Sequence, residues 1–493
     1  MSRADLEHLD GELFDVVVIG AGAVGCAAAR QLAARNFRTL LIDRGDIGAG
    51  TSSRSSRMLY SGLGYLAARY PLWQMPFRPL DMWQRLRYTR QVMQCRAELV
   101  GEMPGHLTRH RFHYPLRKGD RYPPWLVDMG FRLVEALGGW KVPLSYRRLS
   151  QDHAARDSAL AAGLGGPLGG VGVFEEYMYA WPERICVDTA LDAEWRGAKV
   201  RTYTCVSQLE RAADHWLVTL DEQAPHSQGQ ARVRARVVIN AAGPWVDRVP
   251  GAGGNIGPRV LGVKGVNVMV RLPEAYRGQG LEAFSSKGEP FYVFPWRDFH
   301  FIGPTESEFT GDPDTVRVED SEIDYILAEA NYLFPALGLS RADVQHCWCG
   351  VRPTSTLDGR STSLPVRLSE MAERPGLLTL TGSTIMLHRH AARVIAKAVE
   401  ARLGKRGAAP RGMVEREPID TGDIGRIIEK EHVVRLTDLL RRRLPEGLDP
   451  DLGRDQAEGL SRTLAAALGW SESRREEELR HFEEDTARVY RRV

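Results

Sequence analysis

Residues 16 to 25, Val-Val-Val-Ile-Gly-Ala-Gly-Ala-Val-Gly, join an apolar run to a turn with glycine at 20, 22 and 25, and a small-residue helix pattern follows from about Val24 to Arg35. A second apolar run, Thr39-Leu40-Leu41-Ile42, is closed by Asp43. Strand, glycine turn, helix, strand and terminal acid in that order specify a dinucleotide-binding βαβ unit. Gly20 serves the tight turn, Gly22 lets the backbone approach a pyrophosphate, and Gly25 lets the helix pack against the strand. The helix N-terminus, at about Val24, then holds phosphate charge. Asp43 is placed to accept hydrogen bonds from the ribose hydroxyls. Taken alone, this turn fits a nicotinamide cofactor as well as a flavin.

The chain has 493 residues, 43% of them hydrophobic, and a formal charge of +3, which is the composition of a globular protein of two or three domains. Its longest uncharged apolar stretch, Val16 to Ala29, is shorter than the ~20 residues of a membrane span. The start, Met1-Ser2-Arg3-Ala4-Asp5-Leu6-Glu7, shows no signal-peptide pattern, and a cytoplasmic location is expected. The six cysteines lack metal-ligand spacing, so no metal is expected. Cys347-Trp348-Cys349 reads as strand neighbours pointing to opposite faces rather than as a redox pair. Arg441-Arg442-Arg443 is the densest basic cluster, and with acids matching bases along the chain it reads as a solvated helix face, with no nucleic-acid partner.

Two later segments repeat the strand-to-small-residue pattern. They are Arg236 to Asn240 running into Ala241-Ala242-Gly243-Pro244-Trp245, and Leu377 to Thr381 running into Gly382-Ser383-Thr384, with a helix expected from about His388 to Leu403. The fold class is therefore α/β, with a discontinuous Rossmann-type domain over 11–62, 170–250 and 345–405. Alternating apolar residues over Gly262 to Val270 and Phe291 to Thr305 place an antiparallel sheet in an α+β substrate domain over 63–169 and 251–344. From about Pro410 the sequence becomes charged and helix-periodic, which predicts a C-terminal helical domain over 410–493.

With these motifs the chain resembles the FAD-dependent glycerol-3-phosphate dehydrogenases, within the wider D-amino-acid oxidase type of flavoprotein. Five stretches carry the resemblance: the opening glycines; Thr51-Ser52-Ser53-Arg54-Ser55-Ser56-Arg57; Asn240 to Val246; Ile302-Gly303-Pro304-Thr305 with Gly311-Asp312-Pro313; and Cys349-Gly350-Val351-Arg352-Pro353. The resemblance implies FAD rather than a nicotinamide. It implies cofactor contacts from Gly20, Gly22, Ala23, Val24, Gly25, Asp43, Arg44, the hydroxyls of Thr51, Ser52, Ser53, Ser55 and Ser56, and from Val206, Ala241, Ala242, Gly243, Trp245, Gly382, Ser383 and Thr384. Serine and threonine hydroxyls can donate to phosphate or flavin oxygens, which supports that choice from the residues themselves.

The chain departs from the family at its substrate positions. Tyr65 stays where the family has an Arg-Tyr pair, but the arginine position is Gly64; the family's histidine falls at Asn267 and its lysine at Thr384. Losing charge-assisted hydrogen bonds of about 1.5–3 kcal/mol each should weaken a phosphate ester in an unchanged pose. Arg352 and Arg367 remain as anchors for a small anionic substrate, either a polyol phosphate or a hydroxy acid. The expected chemistry is hydride transfer from a secondary alcohol to flavin, with Tyr65 as a hydrogen-bonding group and His388, beside His390, as the nearest candidate base. The alternatives are amine or amino-acid oxidation on the same scaffold, or flavin binding without turnover. Lys264 is expected to pair with an acid. Residues 68–86 look like an insertion, suited to a lid, a membrane-dipping segment at the inner face of the cell membrane, or contact with a second copy in a homo-oligomer. The electron acceptor expected is a quinone, oxygen or another carrier.

Overall fold

The computed structural model describes residues 3–492 apart from 62, 67–73, 75–76, 118, 121, 253–258, 358–359, 362–365 and 411–420, so the first part of the 68–86 segment lies outside the described residues. Strand Leu13–Ile19 is apolar at nearly every position because both its faces are covered. It pairs in parallel with Gln230–Asn240 on one side, Val16 opposite Val237, and with Thr39–Ile42 on the other, Val16 opposite Thr39. Leu377–Thr381 extends the sheet beyond Gln230–Asn240, and Lys199–Arg201 extends it beyond Thr39–Ile42. Helices Ala23–Ala33, Pro182–Trp195 and His388–Leu403 cover one face through small and branched residues such as Cys26, Ala29, Leu191, Ala392 and Ile395. Antiparallel strands Thr204–Arg211 and Trp216–Glu222 join the same sheet at Gln230–Asn240 and cover part of the other face with Trp216, Val218 and Leu220.

A second sheet, of twelve strands among the described residues, holds the segments expected to form the substrate side and is called the substrate sheet below. Val260–Val270 pairs antiparallel with Val344–Leu357, and the sheet continues through Phe299–Gly303, Pro290–Trp296, Gln279–Phe284, Leu107–Arg117 and Leu168–Tyr179 to Met58–Leu59. Strands Leu168–Tyr179 and Val344–Leu357, assigned from sequence to the nucleotide domain, therefore belong to this sheet. Its alternation separates two cores. Val266, Val268, Cys347 and Cys349 face helix Asp320–Leu333, whereas Trp348, Phe294 and Phe112 face helix Pro124–Leu137. The two cysteines thus share one face, contrary to the opposite-face expectation, because residues two apart on a strand point the same way. All six cysteines are free thiols.

Helices Arg454–Leu468 and Glu472–Val489 form the C-terminal region around Leu436, Leu439, Leu440, Leu464 and Phe482. The Arg441–Arg443 cluster is buried, which corrects its reading as a solvated face. Arg443 donates to Asp46 (Nη2 to Oδ1, 2.7 Å) and Arg442 to both Asp46 and Asp438. Arg441 donates to the carbonyls of Gly447 and Leu452. Burial alone would raise the Asp46 carboxyl, but the Arg443 and Arg442 guanidiniums hold it below the usual range. The helical region is thereby locked onto the loop that follows Asp43.

Candidate functional site

The cofactor edge is built by backbone geometry. Gly20 has φ +103°, and a Cβ there would lie 2.7 Å from the Ala241 carbonyl oxygen; one at Gly25 would lie 1.7 Å from the Gly20 carbonyl oxygen. No side chain fits either gap. A Cβ at Gly22 would meet Ser52 Oγ at 3.3 Å, and that oxygen accepts the Ala23 N–H at 3.1 Å. The serine loop is thus seated on the helix N-terminus, where amides lack intrahelical partners. Asp43 closes the second strand and accepts from the Ala21 and Gly45 amides at 2.7 and 2.9 Å. Burial raises the Asp43 carboxyl more than those two amides lower it.

The other expected cofactor residues divide into those that face this edge and those engaged elsewhere. The Asp43 carbonyl accepts the Thr204 amide at 2.7 Å, which brings the strand bearing buried Val206 alongside. The Ala241 amide donates to the Ile19 carbonyl, and Asn240 holds the following turn through the Val246 carbonyl and the Ala242 amide. Gly243 and Gly382 both take positive φ. Thr384 Oγ1 and Trp245 Nε1 are buried with no hydrogen-bond partner among the described residues. Ser383 Oγ donates to the Thr384 carbonyl. Arg44 lies over the Trp245 ring at 4.9 Å and donates to Asp314. Thr51 Oγ1 donates to the Val351 carbonyl, Ser53 Oγ to the Gly48 carbonyl, and Ser56 Oγ to Asn267 Oδ1 at 3.3 Å, while Ser55 Oγ accepts from the Arg57 amide. The hydroxyl-rich loop therefore bridges the glycine turn to the substrate sheet as well as lining the cofactor edge. A cradle closed to any Cβ, an oriented acid and two orphaned buried donors fit a bulky dinucleotide.

On the substrate sheet, Arg352 Nη2 donates to Glu306 Oε1 at 2.6 Å, with both side chains about half exposed at 46% and 50%. Burial raises the Tyr65 hydroxyl and the Arg352 guanidinium lowers it, so Tyr65 and Arg352 share one neighbourhood. Asn267 is buried beneath Ser56. A Cβ at Gly64 would lie 2.5 Å from Tyr60 Oη, which accepts the Gly64 amide. The Tyr60 hydroxyl therefore stands against the place where the family arginine would begin. Lys264 Nζ donates to Glu322 at 2.7 Å, the acid pairing expected of it.

Two further expected residues sit in different settings. His388 is fully buried, its Nδ1–H donates to the Ile385 carbonyl at 2.5 Å, and burial pulls it down to about 4, so the ring stays neutral. Arg367 is exposed on the edge strand Arg367–Glu370 of the nucleotide sheet, opposite Thr381. Sequence reasoning missed Glu306, Tyr60 and Glu282. Glu282 left one trace: an acid within the apolar strand Leu281-Glu282-Ala283-Phe284.

Residues 15–398 match the family described as FAD dependent oxidoreductase, DAO, and the chain belongs to that family. FAD is its cofactor. Among individual proteins, it is 28% identical over 420 residues to a glycerol-3-phosphate dehydrogenase of Synechocystis sp., covering 82% of this chain and 72% of that one. The fold matches the FAD complex of the glycerol-3-phosphate dehydrogenase of Bacillus halodurans with a TM-score of 0.75 at 20% identity, covering 98% of this chain and 96% of the other. It also matches the FAD-bound L-alpha-glycerophosphate oxidase of Mycoplasma pneumoniae with a TM-score of 0.59 at 14% identity, covering 82% and 98%.

Proposed function

We propose that this FAD-dependent oxidoreductase oxidises a secondary alcohol of a small substrate bearing one anionic group, a hydroxy acid or a polyol phosphate. The observation that carries the reading is Arg352: a half-exposed guanidinium beside Tyr65, with Gly64, Asn267 and Thr384 supplying no further cation. When bound, FAD supplies the acceptor for the substrate hydride. Asp43 would hold the ribose hydroxyls, and the Gly22–Gly25 backbone with Ser52 the pyrophosphate. Arg352 exchanges Glu306 for the substrate anion, and Tyr65 orients it. A guanidinium fork suits a carboxylate as well as a phosphate. Anaerobic mixing with hydroxy acids, polyol phosphates and amino acids tests this. Bleaching of the flavin by an alcohol with formation of a carbonyl supports the reading, whereas bleaching by amino acids alone favours amine oxidation and bleaching by none favours binding without turnover.

The electrons would leave to a quinone, to oxygen or to another carrier, and a surface feature bears on the first. Helices Pro79–Glu102 and Pro124–Leu137 pack together and expose Leu80, Trp83, Trp125 and Met129, with Phe77 and Trp140 at their ends. Arg87, Arg90, Arg132 and Lys141, on or just after the same helices, are exposed as well, with Arg87 over the Trp83 ring. Apolar anchors accompanied by cations suit peripheral contact with an anionic bilayer. No helix among the described residues is long and apolar enough to cross one. Flotation with anionic vesicles, lost on Trp83→Ser with Trp125→Ser, supports that contact; light scattering that reports a dimer disrupted by the same pair instead assigns the surface to a second copy.

A further inference from the structure

The substrate sheet carries two buried acids on its aromatic face. Glu282 stands directly across from Tyr292, and its Oε1 accepts the Tyr60 hydroxyl at 3.1 Å, while Oε2 has no partner among the described residues. Tyr60 packs edge-on against Tyr65, with ring centroids 5.4 Å apart, and against Tyr292 at 6.2 Å. Tyr65 is the neighbour of Arg352, so Tyr60 lies one ring behind the anion anchor and joins the pocket to Glu282. Around Glu282 stand Tyr60 from the loop, Tyr292 from the neighbouring strand, Tyr114 from Leu107–Arg117, and Glu176 from Leu168–Tyr179. Glu176 is paired with fully buried Arg96 at 3.2 Å, although burial still pushes it up to about 8; Glu282 has no cation partner among the described residues. An unpaired acid inside an aromatic core is expensive to keep ionised, and its single hydrogen bond leads back toward the substrate.

We propose that Tyr60 and Glu282 form the proton exit of the substrate pocket, Tyr60 Oη receiving the proton of the substrate hydroxyl as its own phenolic proton passes to Glu282 Oε1. This rests on the alcohol-oxidation reading above. The substrate C–H bond breaks with its electron pair going to the cofactor as hydride, the O–H pair becomes the second bond of the carbonyl, and the carboxylate gains one proton. Tyr60 keeps its proton count, and Glu282 acts through it as the positioned acceptor. The relay fills the place left by Asn267, which cannot take a proton. Burial pushes Glu282 up to about 7, so the acceptor is charged only on the alkaline side of neutrality.

The test is single-turnover flavin reduction by stopped flow across the neutral range in FAD-loaded wild type, Tyr60→Phe and Glu282→Gln. In wild type the rate constant should climb with pH to a plateau above about 7. Both variants should lose that limb and about 100-fold of the plateau rate, with substrate Kd unchanged. Tyr60→Phe removes only a hydroxyl, and its FAD content and melting temperature report whether it folds. Independently of turnover, the infrared C=O intensity of protonated carboxyls that fades through neutrality should be smaller in Glu282→Gln than in wild type by one carboxyl, the remainder coming from Glu176, which burial pushes up to about 8. Alcohol-driven reduction with unchanged rates and pH profile in both variants overturns the relay and leaves the alcohol reading standing. Reduction by amino acids alone overturns both.

Discussion

The cofactor edge and the substrate pocket solve opposite problems with the same two sheets. At the cofactor edge, polar groups are held by backbone: Asp43 by the Ala21 and Gly45 amides, Ser52 by the Ala23 amide, and the glycines by gaps that admit no Cβ. In the pocket, side chains hold side chains: Arg352 with Glu306, and Tyr60 with Glu282. Backbone contacts survive most sequence change, because any residue supplies an amide. Side-chain contacts disappear with one substitution, so the two regions should respond differently to mutation.

The sharpest break of that contrast is Gly25→Ala. Its methyl would lie 1.7 Å from a backbone oxygen, and destabilisation beyond about 4 kcal/mol is expected, read as loss of soluble, yellow protein. Next comes Asp46→Ala, which leaves buried Arg443 without a carboxylate and Arg442 with Asp438 alone, and should lower stability by about 3–5 kcal/mol in chemical denaturation; a small change would mean that water reaches the clamp.

Glu282 offers a pH test of intermediate size. Its folded value lies above its ordinary one, so the folded state holds the proton more tightly. Its contribution to stability is intact in acid and falls as pH rises from 4.5 to about 7. Glu282→Gln should flatten that slope, a change on the order of 3 kcal/mol across the window, measured by denaturant titration at several pH values. Asp43→Ala should then weaken FAD binding by about 1.5–3 kcal/mol, roughly ten- to a hundredfold in Kd, followed by flavin fluorescence on titration. The smallest effect expected is from Glu306→Gln. That pair is half exposed and screened, so freeing Arg352 should lower KM for an anionic substrate by no more than about fivefold, within the 0–1 kcal/mol of such pairs. A rise in KM would give Glu306 a role in binding substrate instead.

Much of the cofactor edge was legible in order along the chain. Val16 to Gly25 and Asp43 specify strand, turn and acid within one short segment, so local spacing carries the information. The Arg441–Arg443 run was not legible, because whether an arginine is solvated or buried depends on its partner, and Asp46 lies 397 residues from Arg443. Cys347 and Cys349 share one face by strand periodicity alone, so their placement needs no tertiary information. The setting of His388 was not legible either: the chain after Thr384 turns its ring onto the Ile385 carbonyl and buries it.

What the residues in order decided was the cofactor class and the doubly covered parallel sheet, since the apolar runs and glycine spacing act through neighbours in the chain. Tertiary structure alone decided what the pocket can do with a proton. Tyr60 and Glu282 are separated by 222 residues and meet only because Met58–Leu59 and Gln279–Phe284 are strands of one sheet. A carboxyl's proton affinity is set by what surrounds it, and here those surroundings come from distant segments of the chain.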